Sequence, residues 1–302
     1  MEFKVTTSLN FRSMPKVDPA NRIATLPQRH LVSKLQEASE DPSWWRVRAD
    51  VDGHAVEGYV KASFLAPVAS APVALLVNKL DAVHHRVKKP ETITRMSATG
   101  RVSPLGEPGQ PVRTGQQPAQ KVNELGAIIQ WLRVDQSARY LPEPDVTYCN
   151  IYAYDYCYLA GVYIPRVWWN TTAIKDLLDG KPVTPAYLKT YQELNANALF
   201  LWFREFGPTF GWRRVMSLDA LQDLANQGSV CIISAIARNK ERSGHISPVA
   251  AEVPGQSALR KDGHVVQPLQ SQAGRTNFMH GTYKAPWWSA DNMEDFGFFA
   301  HD

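Results

Sequence analysis

The stretch DVTYCNIYAYDYCYLAG, residues 145–161, predicts a short helix that begins close to a cysteine. Pro142 and Pro144 lie just before it, and proline disfavours helix at its own position and at the residue before it. Gly161 is suited to end the helix, because glycine adopts a left-handed conformation without steric cost. The chain is therefore expected to change from loop to helix immediately before this cysteine.

Cys149 falls in the first turn of this helix if Thr147 or Asp145 caps the helix start. Unpaired N–H groups and the positive end of the helix dipole favour thiolate over thiol in a first turn. The thiolate is the nucleophilic form, so Cys149 is the candidate catalytic residue. The alternative is that Cys149 is simply a small buried side chain, as most free cysteines are.

The chain has three cysteines, which argues against a disulfide scaffold. Cys157 lies deep in the predicted helix and Cys231 lies in an apolar strand, so both are predicted to be core residues. Eight residues of helix rise by about 12 Å, too far for a bridge between Cys149 and Cys157. No His/Cys cluster has zinc spacing, so neither a metal nor another cofactor is expected.

His245 is the candidate base for the cysteine, because it follows Gly244 and opens the predicted buried strand 245–253. A histidine at such a strand start can face the edge of a cleft. Catalytic histidines are oriented by a further polar group, and Gln272 on the predicted strand 265–272 is the candidate for this role. The residues that compete with Gln272 for it are Gln270, Glu252 and Asn277.

Other side chains near the helix have weaker assignments. Trp168, Trp169 and Asn150 are candidates for substrate binding, although core packing explains the two tryptophans equally well. Asp155 is six residues past the cysteine and is expected to make a structural hydrogen bond. Glu205 is the candidate acid of a lysozyme-like glycosidase, a mechanism that also needs a second carboxylate, for which the sequence offers no partner.

The region from residue 121 onwards predicts helices followed by strands. Apolar residues recur with helical period in 122–134, and 186–206 and 218–226 are further predicted helices. Ser217 is the candidate N-cap of the last helix and Gly228 its terminator. The segments 229–237, 245–253 and 265–272 predict strands of an antiparallel sheet, which makes this region α+β.

Residues 1–67 predict a small β-barrel, because short runs of alternating or β-branched residues are separated by turn signals. Asp52-Gly53 is a hairpin signal between the last two runs. The predicted strands are 3–6, 9–13, 23–26, 31–35, 44–49 and 55–60.

This first region resembles the bacterial SH3 family. The resemblance rests on LNFRS at 9–13, WWRV at 44–47, GYV at 58–60 and the closing Phe64-Leu65, which occur in the order of the family pattern. It implies an SH3-like β-barrel. Because members of the family often bind cell-wall peptide or glycan, the resemblance also implies a module that holds a wall polymer.

The region 121–302 resembles papain-like peptidoglycan amidases and endopeptidases of the CHAP and NlpC type. The motifs are CNIYAYD at 149–155 and GHI at 244–246, in that order. The resemblance implies a cysteine hydrolase in which Cys149 attacks an amide carbonyl and His245 transfers the proton. Tyr148 replaces the aspartate that often precedes the cysteine in these families, and the long interval to the histidine implies an insertion.

Residues 68–120 are predicted to link the two regions. The segment 68–75 is rich in proline and alanine, 74–85 has the apolar spacing of a helix, and 97–120 is rich in Gly, Pro, Gln and Ser. The expected organisation is therefore a bacterial SH3-like domain at 1–67, a linker with a helix, and a papain-like domain at 121–302.

Composition excludes several classes of function. The formal net charge of the 302 residues is +4, without the broad basic stripe of a nucleic-acid-binding protein. No run of about 18 apolar residues predicts a membrane span, and no apolar segment follows Met1 as a signal peptide would.

The predicted function is cleavage of an amide bond in peptidoglycan peptide. The enzyme is expected to act at the bacterial cell wall after delivery, and a secreted effector of this kind would have an immunity or inhibitor protein as a partner. Two alternatives are a non-catalytic protein that binds wall polymer or peptide, and a glycosidase that acts on the same polymer.

Overall fold

The computed structural model describes residues 2–28, 30–52, 54–67 and 93–302. The chain is mixed α+β with antiparallel sheets, as predicted. The helix predicted at 74–85 lies outside the described residues. None of the helices within the described ranges is long and apolar enough to cross a membrane.

The first sheet has seven antiparallel strands in the order β3-β2-β6-β5-β4-β1-β7 and curls into a half-barrel. Each strand predicted in this region is present, and β7 adds one that was not predicted. The strands are β1 (Glu2–Val5), β2 (Leu9–Arg12), β3 (Arg22–Leu26), β4 (Leu31–Glu37), β5 (Trp44–Val51), β6 (His54–Lys61) and β7 (Leu65–Pro67).

Two local features of the half-barrel follow directly from the sequence. Val51 pairs with His54, so the β5–β6 hairpin turns where the Asp52-Gly53 signal predicts. Gly58 lies where β6 passes β2, and a Cβ there would be 2.6 Å from the backbone oxygen of Arg12. The strands can therefore approach closely only because residue 58 has no side chain.

The second sheet has six strands in the order β10-β17-β11-β12-β15-β16. Its strands are β10 (Arg213–Val215), β11 (Val230–Ala237), β12 (His245–Val249), β15 (Gln270–Gln272), β16 (Phe278–Gly281) and β17 (Met293–His301). Two small sheets accompany it, formed by β8 (Val167–Trp169) with β9 (Tyr191–Glu193) and by β13 (Leu259–Lys261) with β14 (His264–Gln267).

The helices are α1 (Pro118–Leu132), α2 (Cys149–Leu159), α3 (Thr171–Leu178), α4 (Ala196–Glu205) and α5 (Leu218–Asn226). Strand β11 is buried along its whole length because it has helices on both faces. Val230 and Ile232 face the core shared with α1, α2 and α4, whereas Ile233 and Ala235 face the core shared with α5. The continuous apolar run of this strand is thereby explained.

Three helix predictions are corrected in detail. The helix predicted at 186–206 begins only at Ala196, because Asn195 caps it and the residues before it include β9. Neither Thr147 nor Asp145 caps α2, since the N-cap residue is Tyr148, which makes no side-chain cap. Helix α5 has the predicted boundaries and the predicted Ser217 cap.

Two strand predictions also change. The strand expected at 245–253 ends at Val249. The strand expected at 265–272 is two strands in different sheets, β14 and β15, which are separated by Pro268 and Leu269. Proline lacks the N–H that a continuous ladder would require, so the chain changes sheets at this point.

Helix α2 is attached to the preceding loop by a fully buried ion pair. Arg139 Nε lies 2.6 Å from Asp155 Oδ2, and both side chains have 0% exposure. Tyr140 donates its hydroxyl proton to the same carboxylate at 2.9 Å, and Arg139 Nη2 donates to the backbone oxygen of Ser103. Asp155 thus has the structural hydrogen-bonding role that its position predicted.

The half-barrel contacts the β10 edge of the second sheet. Arg204 on α4 donates to Gln28 Oε1 at 3.2 Å, and β5 lies against β10. His30 is buried in this contact, and burial together with the charge of Arg214 lowers its pKa to about 4. The opposite part of the sheet, around β12, β15 and β16, is left to form the candidate site.

We expect Asp155→Ala to destabilise the chain strongly. Removal of one partner from a buried pair leaves the other charge without compensation and costs about 3–5 kcal/mol. Urea unfolding monitored by tryptophan fluorescence measures the effect. Asp179→Ala is the matched control, because Asp179 forms an exposed pair with Lys175. Equal midpoints for the two variants would contradict the role given to the buried pair.

Candidate active site

Cys149 is the first residue of α2, as predicted, and is 3% exposed. The N–H groups of a first helical turn have no acceptor within the helix, and Tyr148 provides no side-chain cap. The sulfur therefore lies in an environment that favours negative charge. Cys157 and Cys231 are fully buried core residues, in agreement with prediction.

His245 is the first residue of β12 and is positioned by the loop before it. Asn197 on α4 accepts the backbone protons of Ala237 and Gly244 through Oδ1, both at 2.8 Å. Its Nδ2 donates to the backbone oxygen of Arg242 at 2.8 Å. One buried amide side chain thus fixes both ends of the β11–β12 connection and, with it, the place where the histidine begins its strand.

Gly244 allows this arrangement because its backbone lies against β11. A Cβ at this position would be 2.1 Å from the backbone oxygen of Ala235 and 2.7 Å from Asn197 Oδ1. No side chain fits in that space. The glycine before His245 is therefore required by close packing. The sequence alone indicates only that the histidine after it can face the edge of a cleft.

The side chains of Cys149 and His245 lie close enough for each to shift the pKa of the other. Burial alone would raise the pKa of the Cys149 thiol, but the charge of His245, its hydrogen bond and the N–H groups of Ile246 and Asn150 together lower it. Burial alone would lower the pKa of His245, but the charge and hydrogen bond of Cys149 and the bond to Gln272 raise it. Both shifts favour a thiolate–imidazolium pair.

Gln272 orients the imidazole, as proposed from the sequence. Its Oε1 lies 2.7 Å from His245 Nε2. Its Nε2 donates to the backbone oxygen of Thr276 at 2.9 Å, which fixes the amide so that the oxygen faces the histidine. His245 Nε2 therefore carries a proton and donates it to Gln272, which leaves Nδ1 for the sulfur.

Trp287 covers one side of the histidine. The two rings meet edge to face with centroids 4.6 Å apart, and Trp287 Nε1 donates to Gln270 Oε1 at 2.9 Å. The indole is thereby held in place against the imidazole, and this packing limits the orientations that the histidine ring can adopt.

A cleft of about 770 Å³ opens beside the pair. Most of the residues that line it are polar or charged, and many belong to the loop before α2, the loop before β12 and the residues around β9. They include Arg101, Tyr148, Arg166, Glu193, Arg242 and Arg275. Asn150 also lines the cleft, and its Nδ2 donates to the backbone oxygen of Leu194. A substrate could therefore contact Asn150 mainly through the part of its amide that does not bind Leu194.

The structure does not support the assignment of Trp168 and Trp169 to substrate binding. They are only 4% and 3% exposed and are not among the residues that line the cleft. Trp168 packs against Trp202, Phe206 and Phe210, and Trp169 packs against Tyr191. The alternative of core packing is the correct one for both.

The residues that competed with Gln272 have other partners. Glu252 binds Arg260 through both carboxylate oxygens, and Asn277 donates to the backbone oxygens of Val134 and Tyr140. Gln270 accepts from Trp287, as described above. In the described parts of the chain, no group of three or more His, Cys, Asp or Glu side chains has the arrangement of a metal site.

Sequence reasoning missed Asn197, Trp287 and Arg101, and it included Arg166 only as part of the segment 162–169, a candidate wall of a substrate groove. Asn197 belongs to no sequence motif, because its partners Ala237 and Gly244 lie 40 and 47 residues further along the chain. For Trp287 the doubled tryptophan at 287–288 was a usable signal of an aromatic cluster, but it did not indicate which strand the cluster covers. The two arginines lie on loops that the periodicity of the sequence does not place.

No protein-family model, no curated protein and no solved structure matches this chain. The site therefore has to be interpreted from its own geometry.

We expect the alkylation rate of Cys149 by iodoacetamide to reach half its maximum at a pH below that of an ordinary thiol, about 8.5. In His245→Asn, the imidazolium is absent and burial dominates, so the midpoint should move above that of an ordinary thiol. Mass spectrometry of the labelled peptides identifies the cysteine that reacts. His264→Asn is the control, since His264 is exposed and bonded to Asp219. A midpoint that is the same in all three proteins would rule out the thiolate–imidazolium pair.

Proposed function

We propose that this protein is a cysteine hydrolase that cleaves an amide bond. The observation that carries the proposal is the relay from Cys149 through His245 to Gln272 at the wall of an open cleft. A cysteine with a lowered pKa, a base beside it and a third group that orients the base are the parts that nucleophilic catalysis requires.

The reaction begins with attack of the Cys149 thiolate on the carbonyl carbon, which moves the π electrons onto the oxygen. The N–H of Cys149 lies at the start of α2 and is a candidate donor to that oxyanion. His245 then donates its Nδ1 proton to the departing nitrogen as the carbon–nitrogen bond breaks. Water, deprotonated by the neutral imidazole, attacks the thioester and restores the thiolate.

We further propose peptidoglycan peptide as the substrate. The motifs at 149–155 and 244–246 resemble papain-like amidases of the cell wall, and the motifs of the half-barrel resemble bacterial SH3 modules that bind wall polymer. A papain-like catalytic domain beside an SH3-like barrel is the architecture that this resemblance implies. The cleft is open, and many of the residues that line it can form hydrogen bonds, which suits a peptide substrate.

The alternatives have less support. Glu205, the candidate acid of a glycosidase, is exposed at the end of α4 and does not line the cleft. A glycosidase acid needs an apolar environment that raises the pKa of its carboxyl group. A protein that only binds the wall would have no use for a lowered pKa at Cys149.

We expect Cys149→Ala to reduce the release of new amino groups from purified peptidoglycan by several orders of magnitude, because the nucleophile is lost. Mass spectrometry of the soluble products and quantification of free amino groups and reducing ends measure the reaction. Cys157→Ala, the same change further along the same helix, should retain activity if it folds. Circular dichroism verifies the fold of both variants.

The same experiment separates the three functions. Co-sedimentation of Cys149→Ala with insoluble peptidoglycan should persist, since residues 1–67 contain no cysteine. Release of reducing ends by both variants would identify a glycosidase instead. Sedimentation with the polymer without release of any product by the unaltered protein would identify a binding protein.

A further inference from the structure

Two arginines, Arg101 and Arg166, line the same wall of the cleft, and Arg101 lies against the residue that precedes Cys149. The guanidinium carbon of Arg101 lies 3.6 Å from the centroid of the Tyr148 ring. Arg101 donates from Nε to the backbone oxygen of Arg139 at 2.9 Å and from Nη2 to that of Ala138 at 3.3 Å. The fork of this arginine is therefore fixed mainly by the backbone and by stacking, with only a long contact of 3.4 Å between Nη1 and Glu143 Oε1.

Arg166 extends the same wall and is 3% exposed. Its Nε donates to the backbone oxygen of Arg101 at 3.2 Å, and its Nη2 lies 3.0 Å from Glu193 Oε2. Its Nη1 makes no hydrogen bond to any residue in the described part of the chain. Burial, together with the charge of Arg139, lowers the pKa of Arg166 despite the opposing charges of Glu193 and Asp155.

We propose that Arg101 and Arg166 form a carboxylate-recognition subsite for the residue next to the scissile amide. The inference rests on the proposed hydrolase function and specifies its substrate class as peptides with a free carboxylate beside the bond that is cut. Guanidinium groups held in a fixed plane suit carboxylates, because each presents parallel N–H donors in the geometry of the two oxygens.

Two acidic side chains, Glu193 and Glu143, contact these arginines, and both have further hydrogen-bond partners. Glu193 accepts from Arg166 and, at 3.5 Å, from the hydroxyl of Tyr187. Glu143 accepts from the hydroxyl of Tyr148 at 2.5 Å and lies 3.4 Å from Arg101 Nη1, a long contact. A substrate carboxylate would therefore complete the contacts of Arg166 Nη1 and Arg101 Nη1 rather than displace an existing short ion pair.

The position of Arg101 and Arg166 explains why they would bind the substrate residue next to the scissile amide. Tyr148, which carries Arg101 on its ring, is the N-cap of α2 and directly precedes the nucleophile. The other two cleft arginines are arranged differently. Arg242 is exposed on the loop before β12, and Arg275 donates to the backbone oxygens of Glu143 and Pro144.

The test uses synthetic stem peptides made in two forms, one with free side carboxylates and one with the corresponding carboxamides. We expect the unaltered protein to favour the carboxylate form by about tenfold or more in kcat/KM, since unpaired buried donors penalise the analogue. Arg101→Gln should reduce this ratio to near one. Arg166→Lys, which keeps the charge but loses the planar fork, should reduce it in part.

Arg242→Gln is the matched control, because it removes a cleft charge without touching the pair, and it should keep the preference. A similar loss in this control would assign the preference to the general potential of the cleft and overturn the subsite. Calorimetric binding of both peptides to Cys149→Ala gives a readout that does not need turnover, and it should show the same preference.

The outcomes for the function and for the subsite are distinguishable. If the unaltered protein cleaves both peptide forms equally and Cys149→Ala cleaves neither, the hydrolase stands and the subsite is wrong. If the unaltered protein cleaves neither form, the proposed function fails and the inference fails with it.

Discussion

The buried ion pair between Arg139 and Asp155 fixes helix α2, and the position of α2 decides where the sulfur of Cys149 lies. Asp155 has no exposure, and the arginine that binds it comes from the loop that leads into the helix. The hydroxyl of Tyr140 and the backbone oxygen of Ser103 also belong to the network, whereas Arg139 Nη1 has no partner in the described part of the chain. A buried charge network of this kind is costly unless every member is in place, so it specifies one position of the helix relative to the loop.

The histidine is fixed from the other side of the same core. Asn197 connects α4 to the β11–β12 loop, and Gly244 passes too close to β11 for any side chain. The positions of the cysteine and the histidine thus depend on two separate buried polar contacts. Only the folded chain brings the two side chains together. Small displacements at either contact would separate the sulfur from the imidazole, because a hydrogen bond weakens steeply with distance and angle.

The sequence predicts the local part of this arrangement well. The helix at Cys149, the strands of residues 1–67 and the polar role of Asp155 follow from periodicity, turn residues and spacing. What it does not predict is set by tertiary contacts. Trp168 and Trp169 have the composition of a binding surface, but Trp168 is buried by aromatic residues of α4 and the turn after it, and Trp169 packs against Tyr191 of β9. The proline at 268 divides one predicted strand between two sheets.

The three cysteines of the chain show how the site changes the effect of burial on the pKa of a thiol. Burial raises the pKa of Cys157 and Cys231 well above the ordinary value, and only a distant arginine opposes it in each case. Cys149 is equally enclosed and shares a helix with Cys157, yet the charge of His245 and two N–H groups reverse the direction of its shift. Because neither charge of the pair is favoured in a buried place without the other, the thiolate and the imidazolium have to form together. The helix start alone therefore does not explain the lowered pKa of Cys149. The strand that carries His245 contributes to the activation of the thiol as much as the helix that carries the sulfur.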